Sequence, residues 1–406
     1  MVRRLDTKRR DMPYFLGMSQ GLKERNIMEI SKYSFGIGDR FSHEGVNQLK
    51  ALIEAEKRFG VHFTPVWNKS NREHTIIGTE PMSTRQEADA AVKALGYKDA
   101  YFCDADHINL KNVDKFIDAC DFFTIDVADY IGKTGSLEER YLPAVKEAGK
   151  IYRHIAEKKG ADNFVIEVSM DEVEVAQTPD EIRYILTELA KEKVPLQTFA
   201  PKFTGRFNKG VDYVGYLVQF EKEFEEDLKV VAWAVKELGL PKNLKLSIHS
   251  GSDKFSIYPV MGRLIRKYDA GIHVKTAGTT WLEEIIGLSL ADPAALKLAK
   301  KIYRIALTRM DELTVPYATV IDVDKAKLPD PDVVDGWDAD TFAKTLRHDE
   351  DEPKYNPSFR QLIHVSFKVA AELADEYYPA LDRNIDIIGR EIEANIGDRH
   401  VRRLFA

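Results

Sequence analysis

The chain has 406 residues, a formal net charge of −7 and a hydrophobic fraction of 44%, ordinary for a folded globular protein. That balance argues against nucleic acid as a main partner, and no run of about 18 apolar residues marks a membrane span. The basic opening MVRRLDTKRR has no apolar stretch behind it and does not read as a secretory signal. Cys103 and Cys120 lack CxxC spacing and sit in apolar runs, so they read as buried thiols in a reducing compartment. The expectation is a cytoplasmic enzyme with a small-molecule substrate and no nucleic-acid or membrane partner. A homo-oligomer is left open.

Short β-rich runs alternate with longer amphipathic ones. The first strand is expected over 33–39, followed by a helix whose apolar face is Leu49, Leu52, Ile53 and Phe59. A second strand follows at 62–67, with a helix over 83–97 that starts at Ser83 or Thr84 and stops at Gly96. The third strand is 100–108, with a short helix at 112–120, and the fourth is 122–130, with a long helix from 137 to 159. Strands at 163–172 and 195–203 precede helices over 179–193 and near 212–239. KLSIHSGS opens the seventh unit, with a helix near 258–268, and 271–280 is the eighth strand.

Eight strands alternating with helices predict an α/β fold, a (β/α)8 TIM-type barrel with additional C-terminal helices. The competing doubly wound sheet usually carries a phosphate loop. Here GIGDRF lacks the third glycine of GxGxxG, and no GxxxxGK[ST] occurs. The reading divides the chain into an N-terminal extension (1–30), a catalytic barrel (31–290) and a C-terminal helical extension (291–406). Within the last, the Asp- and Pro-rich stretch 322–357 reads as a solvated excursion.

Strand ends of a barrel share one mouth, and here they carry many carboxylates, histidines and lysines. Each acid has an alternative role as a helix cap or turn anchor. Glu167 stands apart because it lies inside the apolar run FVIEV, where an unpaired charge is costly. His249 follows Ser247 by two, so both share a face, and the small polar SGSD turn after it does not read as core. Asp104, Glu167, His249 and His273 from four strands form a candidate metal set, although His273 reads nearly as well as a structural hydrogen-bonding residue. Histidine with carboxylate suits Zn, Mn, Co, Ni or Fe rather than Ca. Asp126, Asp171 and Lys275 are the candidate acid, base and catalytic groups; Arg40, Lys202, Ser250, Asp253 and Lys254 are the candidate substrate contacts.

The strings FGIGDRF, FCDADHI, IEVSMDE, LSIHSGSDKFSIYP, HVKTAGTTWLE and NPSFRQLIHVSFK resemble the bacterial tagaturonate epimerase family, from about Tyr33 to the C-terminus. The resemblance implies a metal-dependent sugar-acid epimerase that interconverts D-tagaturonate and D-fructuronate, with fructose and tagatose as conceivable neutral substrates. It implies a carboxylate and histidine metal site, with Glu167 and His249 the positions carried over most directly. The stereocentre to be inverted is ketose carbon 4, whose hydrogen is not acidified by the carbonyl. A retro-aldol and aldol route fits that constraint. A Schiff-base aldolase using Lys275 or Lys202, and a metal-dependent sugar isomerase or hydrolase, are the alternatives on the same fold.

Overall fold

The computed structural model describes residues 28–276 and 279–406, so most of the expected extension over 1–30 lies outside the described residues. Eight strands, β1 (Tyr33–Ile37), β2 (Thr64–Ser70), β3 (Phe102–Ile108), β4 (Phe122–Asp126), β5 (Val165–Ser169), β6 (Thr198–Ala200), β7 (Lys245–Ile248) and β8 (Ile272–Lys275), close into a barrel in chain order. All pairs are parallel, including β8 with β1, where Ser34 lies opposite His273. The helices within this part are α1 (Gly45–Phe59), α2 (Asn71–Ile77), α3 (Pro81–Leu95), α4 (Leu137–Lys159), α5 (Pro179–Lys191), α6 (Leu217–Leu238), α7 (Tyr258–Lys267) and α8 (Thr280–Ala291). This is the predicted TIM-type barrel.

Local chemistry sets the element ends. Ser136 with Glu139 and Thr178 with Glu181 form capping boxes at the starts of α4 and α5. α3 starts at Pro81 rather than near Ser83, because proline's fixed φ suits the first helical position. Gly96 ends it in the left-handed region, as expected. α2 was not anticipated; a capping box of Ser70 and Glu73 starts it directly at the end of β2. Between β3 and β4 the chain makes only a 3-10 turn, Val113–Lys115, instead of a short helix.

Strand parity separates two cores. Val66, Phe102, Phe122 and Val165 pack with Ile30 as a small cluster of their own, an apolar plug inside the barrel. Asn68, Asp104, Thr124 and Glu167 follow two residues later on the same faces and stand above that plug. The alternate residues Trp67, Cys103, Phe123 and Ile166 belong to the larger core between strands and helices. Both cysteines are buried free thiols.

Beyond the barrel lie α9 (Pro293–Thr308), α10 (Met310–Thr314), α11 (Pro331–Asp335), α12 (Ala339–Leu346), α13 (Pro357–Val365), α14 (Phe367–Glu372), α15 (Ala374–Glu393) and α16 (Arg402–Phe405), with a π-helical stretch Ala394–Val401 before the last. They share the barrel's outer core: Phe41 sits 4.7 Å from Tyr377, and the Trp281 indole donates to the Ile363 carbonyl at 2.7 Å. The acidic stretch 322–357 is therefore not a solvated excursion. It contains α11 and α12, and it buries Val334, Phe342, Ala343 and Leu346 in that core. Among the described residues no helix is long and apolar enough to cross a membrane.

One buried ion pair ties these helices to the barrel. Arg360 on α13 donates to Asp253, just beyond β7, at 2.5 Å, and to the Leu346 carbonyl at 2.8 Å. His348 and His400 lie 3.4 Å from the same carboxylate. Replacing Arg360 with methionine strands that charge in the interior and is expected to cost about 3–5 kcal/mol. Denaturant unfolding of the variant measures it; a loss below about 1 kcal/mol would show that Asp253 does not depend on Arg360.

Candidate active site

Lys275 ends β8 and places its ammonium at the centre of the mouth. It donates to Asp104 at 2.9 Å, Asp106 at 2.8 Å and Thr124 Oγ1 at 2.6 Å, and lies 3.1 Å from Glu167. Burial opposes the charged amine, but Asp104, Asp106 and Glu167 outweigh it and hold its pKa well above the usual lysine value. In return, Lys275 and His249 overcome burial at Glu167 and keep that carboxyl well below its ordinary range. Asp104 goes the other way: burial dominates the pull of Lys275 and pushes it up to about 6. The apolar run FVIEV thus carries an acid because a lysine and a histidine meet it inside the barrel.

Two histidines stand above this cluster. His249, just past β7, donates through Nε2 to Glu167 at 2.6 Å and through Nδ1 to Asp171 at 3.1 Å. His107, at the end of β3, donates through Nδ1 to Asp126 at 3.2 Å. The rings are 5.0 Å apart and nearly perpendicular. Burial disfavours both imidazoliums. The Asp171 and Glu167 carboxylates push His249 up to about 9 nonetheless, and Asp106, Asp126 and Asp171 push His107 up to about 10. His107, Asp171 and His249 each offer a donor atom within 4.8 Å of the others.

The structure groups the expected ligands differently. Of Asp104, Glu167, His249 and His273, only His249 joins this donor group. Asp104 and Glu167 are occupied by Lys275. His273 lies below the mouth, fully buried, with Nδ1 2.8 Å from Ser34 Oγ, and burial pushes it down to about 3. His107 comes beside His249 and Asp171 because the strand is irregular. The β3–β4 register shifts between Ala105 and Ile108, and His107 has φ 52°. A regular strand would aim Asp106 and His107 to opposite faces; the bulge lets both line one cavity.

The other predicted residues divide. Asp171, Lys275, Arg40 and Ser250 line the cavity, and Asp126 reaches it through His107. Lys202 lines a smaller neighbouring pocket with Phe203 and Phe207, not the main one. Asp253 and Lys254 do not reach the mouth at all. Asp253 is the partner of Arg360, and the Lys254 ammonium is spent on the Asn208, Val211 and Ser252 carbonyls at 2.8, 2.7 and 2.9 Å. Asp106, Lys209 and His364 are among the other lining residues.

A tagaturonate epimerase family model matches residues 136–404, which include β5 to β8 with Glu167, Asp171, His249 and Lys275. The chain belongs to the tagaturonate epimerase family. It is an isomerase. A tagaturonate/fructuronate epimerase from Thermotoga maritima is 28% identical over 422 residues, spanning 91% of this chain and 80% of that one. The fold matches a glycerol-complexed crystal structure of a fructuronate–tagaturonate epimerase from Cohnella laeviribosi, with TM-score 0.79 and 22% identity over 93% of this chain and 82% of that one. The native crystal structure from the same organism gives TM-score 0.77 with the same identity and coverage. In this epimerase, the mouth just described is where an active site is placed on a barrel.

Proposed function

We propose that the enzyme interconverts D-tagaturonate and D-fructuronate with a divalent metal ion held by His107, Asp171 and His249. The observation that carries this is the backing of each histidine by a carboxylate, Asp126 behind His107 and Glu167 behind His249. Such pairs fix the tautomer and orient the other ring nitrogen toward a metal. Two histidines and one carboxylate with open positions also suit Zn, Mn, Co, Ni or Fe. The names of the Thermotoga and Cohnella proteins support the substrate pair.

A bound metal supplies Lewis-acid polarisation of the ketose carbonyl. The chain's own groups supply the rest. The Asp106 carboxylate is held ionised: burial would raise it, but Lys275 and His107 pull it well below its usual range. It faces the cavity as the acceptor for the carbon 4 hydroxyl proton, its basicity rising as the Lys275 ammonium turns from it to the developing enediolate. As that hydroxyl loses its proton, the carbon 3–carbon 4 bond breaks and its electron pair passes to the ketone half as an enediolate. The Lys275 ammonium stabilises this negative charge. The aldehyde half rotates, the bond re-forms on its other face, and the proton returns to the new hydroxyl. A Schiff base at Lys275 is disfavoured, because three carboxylates hold that amine protonated.

Purified enzyme should convert D-tagaturonate to D-fructuronate, lose turnover on chelation and regain it with one of the five metals. Full activity after verified metal removal would sink the metal reading while leaving the epimerase. His249→Ala is expected to lower kcat by about a hundredfold or more. Parallel assays with D-tagatose and D-fructose decide whether neutral ketoses are also turned over.

A further inference from the structure

The mouth holds three cations besides its histidines, and two of them are already neutralised. Lys275 is surrounded by carboxylates. The Arg40 guanidinium is 2.5 Å from Glu73 and stacks over the Phe367 ring. Lys209 differs: it lines the same cavity, and its ammonium has no ion-pair partner among the described residues. Burial lowers its pKa, and the acids that act on it are taken or distant: Glu73 is paired with Arg40, Asp106 with Lys275, and Glu172 is exposed at the rim, where solvent screens it.

His364 lies in the same part of the cavity wall. It is 2% exposed, and neither ring nitrogen has a hydrogen-bond partner. A buried imidazole left this way costs stability unless a ligand satisfies it. Gly210 brings the two groups together. Its φ of +75° suits glycine, and an added Cβ would stand only 3.3 Å from His364 Nδ1.

The loop that carries Lys209 is held from outside the mouth. Lys254 takes the Asn208 and Val211 carbonyls, Arg360 Nε donates to the Gly210 carbonyl at 2.5 Å, and the Lys209 amide donates to the Val320 carbonyl at 2.8 Å. Carbonyls on both sides of Lys209 are thus tied to the buried side chains of Lys254 and Arg360. A side chain so anchored, yet unpaired at its tip, is built to meet something that enters.

We infer that Lys209 and His364 form the subsite that takes the carboxylate of the sugar acid, with Lys254 and Arg360 as positioning residues. This rests on the uronate reading above and deepens it. One carboxylate oxygen accepts a charge-assisted hydrogen bond from the ammonium, and the other accepts the N–H of the neutral imidazole. A neutral ketose offers a hydroxymethyl group there and forgoes the charge-assisted bond.

The test is steady-state kinetics of wild type, K209Q and K209R on D-tagaturonate with saturating metal. K209Q should raise KM by about 30-fold or more, the scale of a lost charged hydrogen bond, with kcat changed less than about threefold. K209R should recover most of the KM. A melting temperature matching wild type shows that the loop still folds; if K209Q is unstable, K209M carries the same measurement. An unchanged KM, or a loss confined to kcat, overturns the carboxylate subsite alone. Absence of wild-type turnover would instead sink the substrate reading beneath it.

Discussion

Replacing Lys275 with methionine is expected to lower kcat by about a thousandfold, the scale of removing a preorganised charge aimed at a developing anion. The expectation follows from position. Lys275 lines the cavity and is also the shared partner of Asp104, Asp106 and Glu167. Methionine keeps much of the stem's volume but leaves three buried acids without their cation. Burial, the largest influence on each, then meets only the histidines at Glu167 and Asp106 and loses its main opponent at Asp104, so their pKa values rise. Above the unfolded pKa of about 4, the folded variant binds more protons than its unfolded chain, so its stability falls as pH rises. Its deficit against wild type should be largest near pH 8 and shrink toward about pH 5, as the acids neutralise. Denaturation at both pH values and turnover near neutrality measure the two effects. A variant keeping more than about a tenth of kcat, or one whose deficit is larger at low pH, would remove Lys275 from the centre of the chemistry. Borohydride treatment of wild type with substrate separates the remaining route: a covalent adduct on Lys275 would mean Schiff-base catalysis.

The barrel was legible because each strand is a short apolar run and each helix a longer amphipathic one. Strand ends were legible for the same reason, and they brought Asp104, Glu167, His249 and Lys275 to one place. Which of them meet was not legible. Simple alternation puts Asp104 with Asp106, as observed, but turns His107 away, and the shifted β3–β4 register brings His107 back to the cavity. Asp253 and Lys254 sit so close in sequence to His249 that they read as mouth residues. Arg360, 107 residues later, draws the Asp253 carboxylate away instead. His364 arrives on α13, packed over the barrel from beyond the eighth strand, and no local pattern announces such a contact. In 322–357 the acidic composition masked a weaker signal. Phe342, Ala343 and Leu346 have helical spacing and form the buried face of α12.

At the proposed His107, Asp171 and His249 site, affinity for a divalent cation is expected to rise by about a hundredfold per pH unit between roughly pH 6 and 8. Without metal, His249 and His107 have pKa values pushed up to about 9 and about 10, so both are protonated across that range. A metal ligand must be deprotonated, so occupancy by a divalent cation expels about one proton from each ring. Asp171 adds none, because His249 and His107 outweigh burial and already hold it ionised. Each expelled proton contributes one decade of affinity per pH unit below the relevant pKa, and the sign is fixed: affinity falls as pH falls. The two rings interact, so the pair titrates as a unit and the slope, not either single pKa, is the observable. Calorimetric titration with Mn or Zn, in buffers of different ionisation enthalpy, counts the protons directly. His107→Ala should bind more weakly and release about one proton instead of two. A wild-type release near zero would mean that the imidazoles do not ligate. Normal binding by both His107→Ala and His249→Ala would place the metal elsewhere, leaving the two rings as part of the mouth's hydrogen-bond network.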